Sequence, residues 1–290
     1  MCVIAHTMRI AILGTGPIGS TFALHLARAG HDVTAIARGK RLEQLQADQG
    51  IVTVDGERAA VKVSPTLDPA VPFDLVLVTV LATGVGAVLP ALKASAAKTV
   101  MYMFNTFESH APLREAVGSA RFAFGFPAVL ATLPEGKLQS QVFSRGQVTI
   151  STDTAWAQRF TEAGIYTEVQ ADMESWLRTH AVLIAAISSV ALIAYARGGG
   201  VTLAEARTHA LALQEGFALV RRLGNTVTPA AMGLLARAPL AVVSSLLWGA
   251  SRLKTVRLLG AIGPAEPRAL IDAMCAAAPE QTALLRGIRP

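Results

Sequence analysis

Cysteine is nearly absent from this 290-residue chain: Cys2 and Cys275 stand at opposite ends, with no CxxC or metal-ligand spacing. That usage excludes a disulfide framework and suits free thiols in a reducing, cytoplasmic setting. Charge is scarce as well, 16% of residues against 52% hydrophobic. So apolar a chain has ample surface to bury, which excludes intrinsic disorder. Aromatic residues make up only 6%. The basic residues are scattered and no aromatic ladder accompanies them, so no nucleic-acid partner is expected. No metal-ligand cluster and no Ser-His-Asp assignment can be read. Residues 1–7 lack the apolar core and cleavage site of a signal peptide, and Met8 leads directly into the first strand. The longest uncharged run, residues 179–196 with His180 taken as neutral, is short for a membrane span. It contains Ser188 and Ser189 and has no polybasic flank, so a buried core helix is expected.

What is present is length, positive charge and helix-forming composition. The 290 residues exceed one typical core and fit two domains. A formal net charge of +6 favours anionic ligands such as nucleotide phosphates or carboxylates. Along residues 8–104, short β-rich runs alternate with helical spacing. Residues 8–13 and 31–37 read as strands around a helix at 20–29, and a charged helix is expected at 38–49. Residues 73–80 (FDLVLVTV) form a nearly continuous apolar strand, as when both faces of a parallel sheet are covered. A hairpin is expected between 52–54 and 60–63 around Asp55-Gly56, a helix over 85–93 and a strand over 99–104. Strands and turns continue to residue 150, then a helix at 156–163 and a strand at 166–169. Beyond Asp172, an expected helix cap, strand signals vanish and Ala- and Leu-rich helices run to the end. This predicts an α/β protein: a doubly wound parallel sheet over residues 8–170 and an all-helical domain over 171–290.

Chemistry enters at GTGPIG, a GxGxxG built from Gly14, Thr15, Gly16, Pro17, Ile18 and Gly19. It follows a predicted strand and opens a helix. Glycines are needed there for a tight turn, for close approach to a pyrophosphate and for packing helix on strand. The helix N-terminus adds unpaired N–H groups and a positive dipole end. These features predict a Rossmann domain binding a dinucleotide. The second strand ends in Ala37-Arg38-Gly39-Lys40-Arg41, without the acidic residue that binds a ribose 2′-hydroxyl in NAD sites. Cations there suit a 2′-phosphate, which predicts NADP(H), with Arg38 nearest the strand end. A solvated basic helix start is the alternative reading of the same residues.

ILGTGPIGS followed by GHDVTAIAR resembles the ketopantoate reductase (2-dehydropantoate 2-reductase) family. The resemblance runs on through LVLVTV and Asn105 in MFNTF, then through Glu174-Ser175-Trp176 and Ser244-Ser245-Leu246-Leu247. It implies a Rossmann domain, a helical C-terminal domain, and NADPH-dependent reduction of a 2-keto acid in the interdomain cleft. It also implies that Asn105 contacts substrate or the nicotinamide ribose, and that Ser244 and Ser245 line the substrate site. Departures accompany it. Leu81 stands where the family carries a lysine after the fourth strand, and Thr106 where it carries glycine. In the family's Trp-x-Lys-x-x-x-Asn pattern this chain has Trp176, Arg178 and Val182, and Arg257 falls at a substrate-binding glutamate.

Arginine stays charged and can clamp a carboxylate or stabilise an oxyanion, but it is a poor proton donor. His180 lies about 200° around a helix from Arg178, so a packing role is expected for it. Glu108 and His110 read as a helix start, Trp156, Trp176 and Trp248 as packing residues, and His209 as part of a polar face. The expected activity is NADPH-dependent reduction of a small, anionic carbonyl compound, using Asn105 and Arg178, with ketopantoate itself a poor substrate. The competing expectation is a non-catalytic NADP(H) sensor. A homodimer is compatible with the apolar C-terminal helices.

Overall fold

A computed structural model describes residues 7–290; Cys2 and the leader up to residue 6 lie outside the described residues. The chain divides into two compact units. One holds the residues through Asn105 together with His110–Met173, the other Thr106–Ser109 and Glu174–Pro290.

The first unit opens with β1 (Arg9–Leu13), α1 (Pro17–Arg28), β2 (Asp32–Ile36) and α2 (Gly39–Asp48), then the short strands β3 (Gly50–Val52), β4 (Arg58–Ala60) and β5 (Lys62–Ser64). Next come β6 (Leu75–Val78), a 3-10 turn at Ala82–Ala87, α3 (Leu89–Ala94), β7 (Thr99–Met103), α4 (Ala111–Val117) and β8 (Phe122–Phe126). It closes with β9 (Val129–Thr132), β10 (Gln139–Val142), β11 (Thr149–Ser151), α5 (Thr154–Glu162) and β12 (Thr167–Val169). The main sheet has the order β12-β11-β8-β7-β6-β1-β2-β5. From β5 to β8 every pairing is parallel, and β11 then runs antiparallel to β8. This is the expected doubly wound sheet. The strand order reverses at β1, so the crevice between the C-terminal ends of β1 and β6 is the topological switch point where such sheets bind ligands. All four β6 residues are buried, as a strand covered on both faces requires. Helix α1 seals one face with Phe22, Ala23 and Leu26, and Phe22 meets Phe160 of α5 edge-on at 5.2 Å.

Two local expectations need correcting. The Asp55-Gly56 turn does join a hairpin, but its strands are β3 and β4, with Val52 opposite Arg58. Residues 62–64 leave the hairpin and pair with β2, where Val63 lies beside Ala35. That pairing covers a β2 edge that would otherwise carry unpaired backbone groups. The helix expected over 85–93 is a 3-10 turn followed by the short α3. Gly84 and Gly86 disfavour α-helix, while Pro90 is tolerated in the first turn of α3.

The second unit is helical: α6 (Met173–Arg197), α7 (Leu203–Arg222), α8 (Ala230–Leu235), α9 (Leu240–Ala250), α10 (Lys254–Leu259), α11 (Ala265–Ala277) and α12 (Ala283–Gly287). Helix α7 starts with a capping box, in which the Thr202 hydroxyl and the Glu205 carboxylate satisfy each other's backbone N–H groups. Helix α6 is long and apolar enough to cross a membrane. Its residues Ala181, Val182, Ala185, Ala186, Val190 and Ala194 are buried in the core of this unit. Two expectations about side chains fail here. His209 is buried, with Nδ1 hydrogen-bonded to the Glu205 carbonyl at 2.8 Å. Trp248 is 39% exposed and lies under the Arg252 guanidinium, 3.6 Å from its ring centroid.

Candidate cofactor and substrate residues

The chain leaves β1 at Leu13 and enters α1 at Pro17, so residues 14–16 make the whole turn. Gly14 has φ +102°, and a Cβ there would lie 2.9 Å from the Val80 amide nitrogen. At Gly19 a Cβ would fall 2.5 Å from the Gly14 carbonyl oxygen and 2.6 Å from Thr79 Oγ1, so only glycine permits this helix–strand contact. The loop is held from both sides. The Gly14 and Thr15 amides both donate to the Ile36 carbonyl at 3.2 Å, and the Thr79 hydroxyl donates to the Gly14 carbonyl at 2.7 Å. The Gly16 amide turns back onto Gly14. Pro17 has no N–H, and the amides of Ile18 and Gly19 donate to no protein group among the described residues. The first turn of α1 carries no acidic residue, and the space beside Gly16 is open. Two free amides, a helix dipole and clearance for a close approach fit an anionic group such as a pyrophosphate.

No carboxylate stands at the end of β2. Arg38 takes the N-cap position of α2 in extended conformation, and both Arg38 and Lys40 are exposed. Arg41 differs from them. Its Nε donates to the Thr15 carbonyl at 3.0 Å, one terminal nitrogen to the Gly136 carbonyl at 2.7 Å, and the other to the Ser20 hydroxyl at 2.8 Å. Of the three cations that the sequence offers to a 2′-phosphate, Arg41 is therefore already engaged.

Asn105 follows β7 and is half-buried. Behind that strand end lies an aromatic cluster in which His110 stacks on Phe124 at 4.0 Å between centroids. Tyr102 is fully buried there, and burial pushes its phenol up to about 12. His110 does start a helix, as the N-cap of α4, and its carbonyl accepts from the Arg114 amide at 2.9 Å; Glu108 lies before that helix, exposed, and donates its amide to Thr106 Oγ1. Leu81, just past β6, is 78% exposed.

In the second unit, Arg178 on α6 is only 9% exposed. Its Nε donates to the Phe107 carbonyl at 3.1 Å, one terminal nitrogen donates to Asn225 Oδ1, and the other pairs with Glu174 at 2.9 Å. Asn225 is itself held by the Ser175 hydroxyl. Three of the five N–H donors of the guanidinium are thereby used. The sequence showed no sign of Asn225 beyond its Gly-Asn turn. His180 stacks on Trp176 at 4.8 Å, and burial pushes its imidazole down to about 4, so it is neutral near pH 7. Val182 is fully buried, its methyls occupying the space where a Cβ on Gly216 would be. Ser244 is buried and donates to the Leu240 carbonyl at 2.7 Å; Ser245 is exposed. Arg257 donates to the Gly198 carbonyl at 3.0 Å, Lys254 is exposed, and Glu266 sits in the first turn of α11. Among the described residues no group of His, Cys, Asp and Glu is arranged to hold a metal ion.

Comparison with known proteins gives one consistent result. Residues 10–153 match the family model described as ketopantoate reductase PanE/ApbA. A 2-dehydropantoate 2-reductase of Vibrio cholerae serotype O1 is 32% identical over 136 residues, which is 46% of this chain and 42% of the relative. The match thus spans less than half the length of that curated relative. Among solved structures, a PanE/ApbA family ketopantoate reductase from Ralstonia eutropha JMP134 superposes with TM-score 0.71 at 22% identity, covering 97% of this chain and 96% of that one. A D-mandelate dehydrogenase bound to NADH and anilino(oxo)acetate gives TM-score 0.69 at 15% identity, covering 97% and 96%. These two likenesses are likenesses of fold.

Proposed function

Because residues 10–153 match the ketopantoate reductase family model and a 2-dehydropantoate 2-reductase is similar over 136 residues, we propose that this protein is an oxidoreductase of that family, an NADP(H)-dependent reductase of a small carbonyl compound bearing a carboxylate. The observation that carries this reading is the pair of free amides at Ile18 and Gly19 beside a β2 end that has exposed cations and no carboxylate. Gly14, Gly16 and Gly19 clear the approach, the two amides donate to the pyrophosphate oxygens, and Arg38 with Lys40 reads the 2′-phosphate. When bound, NADPH supplies the hydride that reduces the carbonyl carbon. The amide of Asn105 orients the substrate side by hydrogen bonding. Arg178 keeps two N–H donors beyond those already engaged, enough to hold a carboxylate or a developing oxyanion. A guanidinium does not give up its proton near neutrality, so the proton reaching the carbonyl oxygen comes from solvent rather than from Arg178. The test is NADPH oxidation followed at 340 nm across a panel of 2-keto acids and aldehydes. The reading expects turnover of at least one 2-keto acid, and expects ketopantoate to fall below the ordinary kcat/KM range of ~10⁴–10⁸ M⁻¹s⁻¹. A normal value for ketopantoate would overturn the substrate part.

One observation favours a second reading. Arg178 is buried and largely committed to Glu174, Asn225 and Phe107, as a structural arginine would be. On that reading the protein is an NADP(H) sensor, and the same panel shows tight NADPH binding with no oxidation.

A further inference from the structure

The three cations after β2 are not equivalent. Arg38 and Lys40 extend into solvent, whereas the Arg41 side chain turns back under the glycine loop. It reaches three acceptors contributed by three different elements. The Thr15 carbonyl belongs to the loop itself, the Ser20 hydroxyl to the first turns of α1, and the Gly136 carbonyl to the tip between β9 and β10. Ser20 passes the restraint on, because its own hydroxyl donates to the Thr15 carbonyl at 3.3 Å. Thr15 O thus receives two donors, while the Thr15 amide and hydroxyl are fixed on Ile36. A peptide whose carbonyl is drawn toward a cation on one side has its neighbouring amides committed to the other. The amides of Ile18 and Gly19, in the first turn of α1 that leaves this loop, donate to no protein group among the described residues. The guanidinium is half-buried, and burial lowers its pKa from the usual value, yet an arginine so placed remains charged. Charge-assisted bonds of this kind are stronger than neutral ones and hold geometry well.

We infer that Arg41 is a positioning residue for the phosphate cradle. It holds the Thr15 peptide so that the loop amides stay presented, and it thereby sets affinity for the pyrophosphate common to both nicotinamide dinucleotides. Discrimination between the two is left to Arg38 and Lys40. The inference rests on the cofactor reading above, and it differs from that reading in one measurable way. A residue that acts through the loop changes NADPH and NADH affinity by the same factor, whereas a 2′-phosphate ligand changes NADPH affinity alone.

The experiment measures dissociation constants of the full chain for NADPH and NADH by nucleotide fluorescence, together with the Tm of the nucleotide-free protein. Arg41→Met is expected to weaken both dinucleotides by about tenfold, equivalent to ~1.4 kcal/mol, with the NADH/NADPH ratio unchanged. Ser20→Ala removes one acceptor and is expected to weaken both by about two- to threefold. Arg38→Ala is expected to weaken NADPH alone. Should Arg41→Met not fold, Arg41→Lys and Ser20→Ala decide by the same ratio. An effect of the Arg41 variants on NADPH alone overturns the inference and makes Arg41 a 2′-phosphate ligand. Unchanged affinities, whatever the Tm, also overturn it, because the clasp is then merely structural. A wild-type protein that binds neither dinucleotide overturns the cofactor reading first and this inference with it.

Discussion

Each unit contains an arginine that captures a backbone carbonyl, and the two do opposite things. In the first, Arg41 holds Thr15 from behind, and on the proposed reading a ligand would meet backbone amides of residues 18 and 19. In the second, Arg178 holds Phe107, and on the proposed reading a ligand would meet what remains of the guanidinium itself. A cradle made of backbone tolerates side-chain change as long as the turn survives. A site made of side chains changes its chemistry with each substitution. This is why the glycine loop keeps its full pattern here while Leu81, Arg178, Val182 and Arg257 depart from the pattern the family resemblance implies.

The sharpest way to break this contrast is Gly19→Ala. Its methyl would collide with the Gly14 carbonyl, a backbone atom that cannot move without unseating the loop. Binding of both dinucleotides is expected to weaken by more than about 100-fold, or ~2.8 kcal/mol, measured by titration; near-normal binding would mean that the loop does not cradle phosphate. Next comes Arg178→Met, which strands Glu174, Asn225 and the Phe107 carbonyl. A loss of about 2–3 kcal/mol is expected in urea unfolding. Arg178→Lys should keep part of that stability and add an alkaline limb to any pH–rate profile, since an ammonium titrates where a guanidinium does not. If wild type and the lysine variant share the same limb, the claim that Arg178 cannot be the acid is wrong.

His180 tests burial in the same helix without touching the proposed chemistry. Its folded pKa, about 4, lies below the ordinary value of 6.5, so the unfolded chain binds its proton first as pH falls. Stability should therefore be fully present above pH 6.5 and decline between 6.5 and about 4. On the order of 3 kcal/mol is at stake, and His180→Gln should flatten that part of the curve. Equal slopes for the two proteins would count against the buried neutral imidazole. The smallest effect is expected from Thr202→Ala, which opens the capping box of α7 at a cost of ~1 kcal/mol, read from the midpoint of thermal unfolding with nucleotide affinity unchanged.

Much of the architecture was legible because it follows from short-range pattern. A continuous apolar run such as residues 75–78, bounded by turn signals, reads as a strand covered on both faces, and GTGPIG after a strand reads as a tight turn into a helix. Errors fell where the deciding partner was distant. Val63 reads as the second arm of a hairpin until the open edge of β2 claims it. Asn225 carries no motif, and it became visible only through its bond to Arg178, 47 residues away in sequence.

By itself the sequence determined the order of strands and helices, the glycine turn at residues 14–19, and the absence of a carboxylate after the second strand. Each depends on local sterics or on residue type at a known position in a repeating pattern. Only the tertiary structure decided which of three neighbouring cations turns inward. Arg38, Lys40 and Arg41 are chemically similar, and local sequence cannot rank them. Arg41 differs because the fold brings a hydroxyl and two carbonyls within reach, one of them on Gly136, 95 residues further along. Long-range acceptors of that kind exist only once the chain has folded around them.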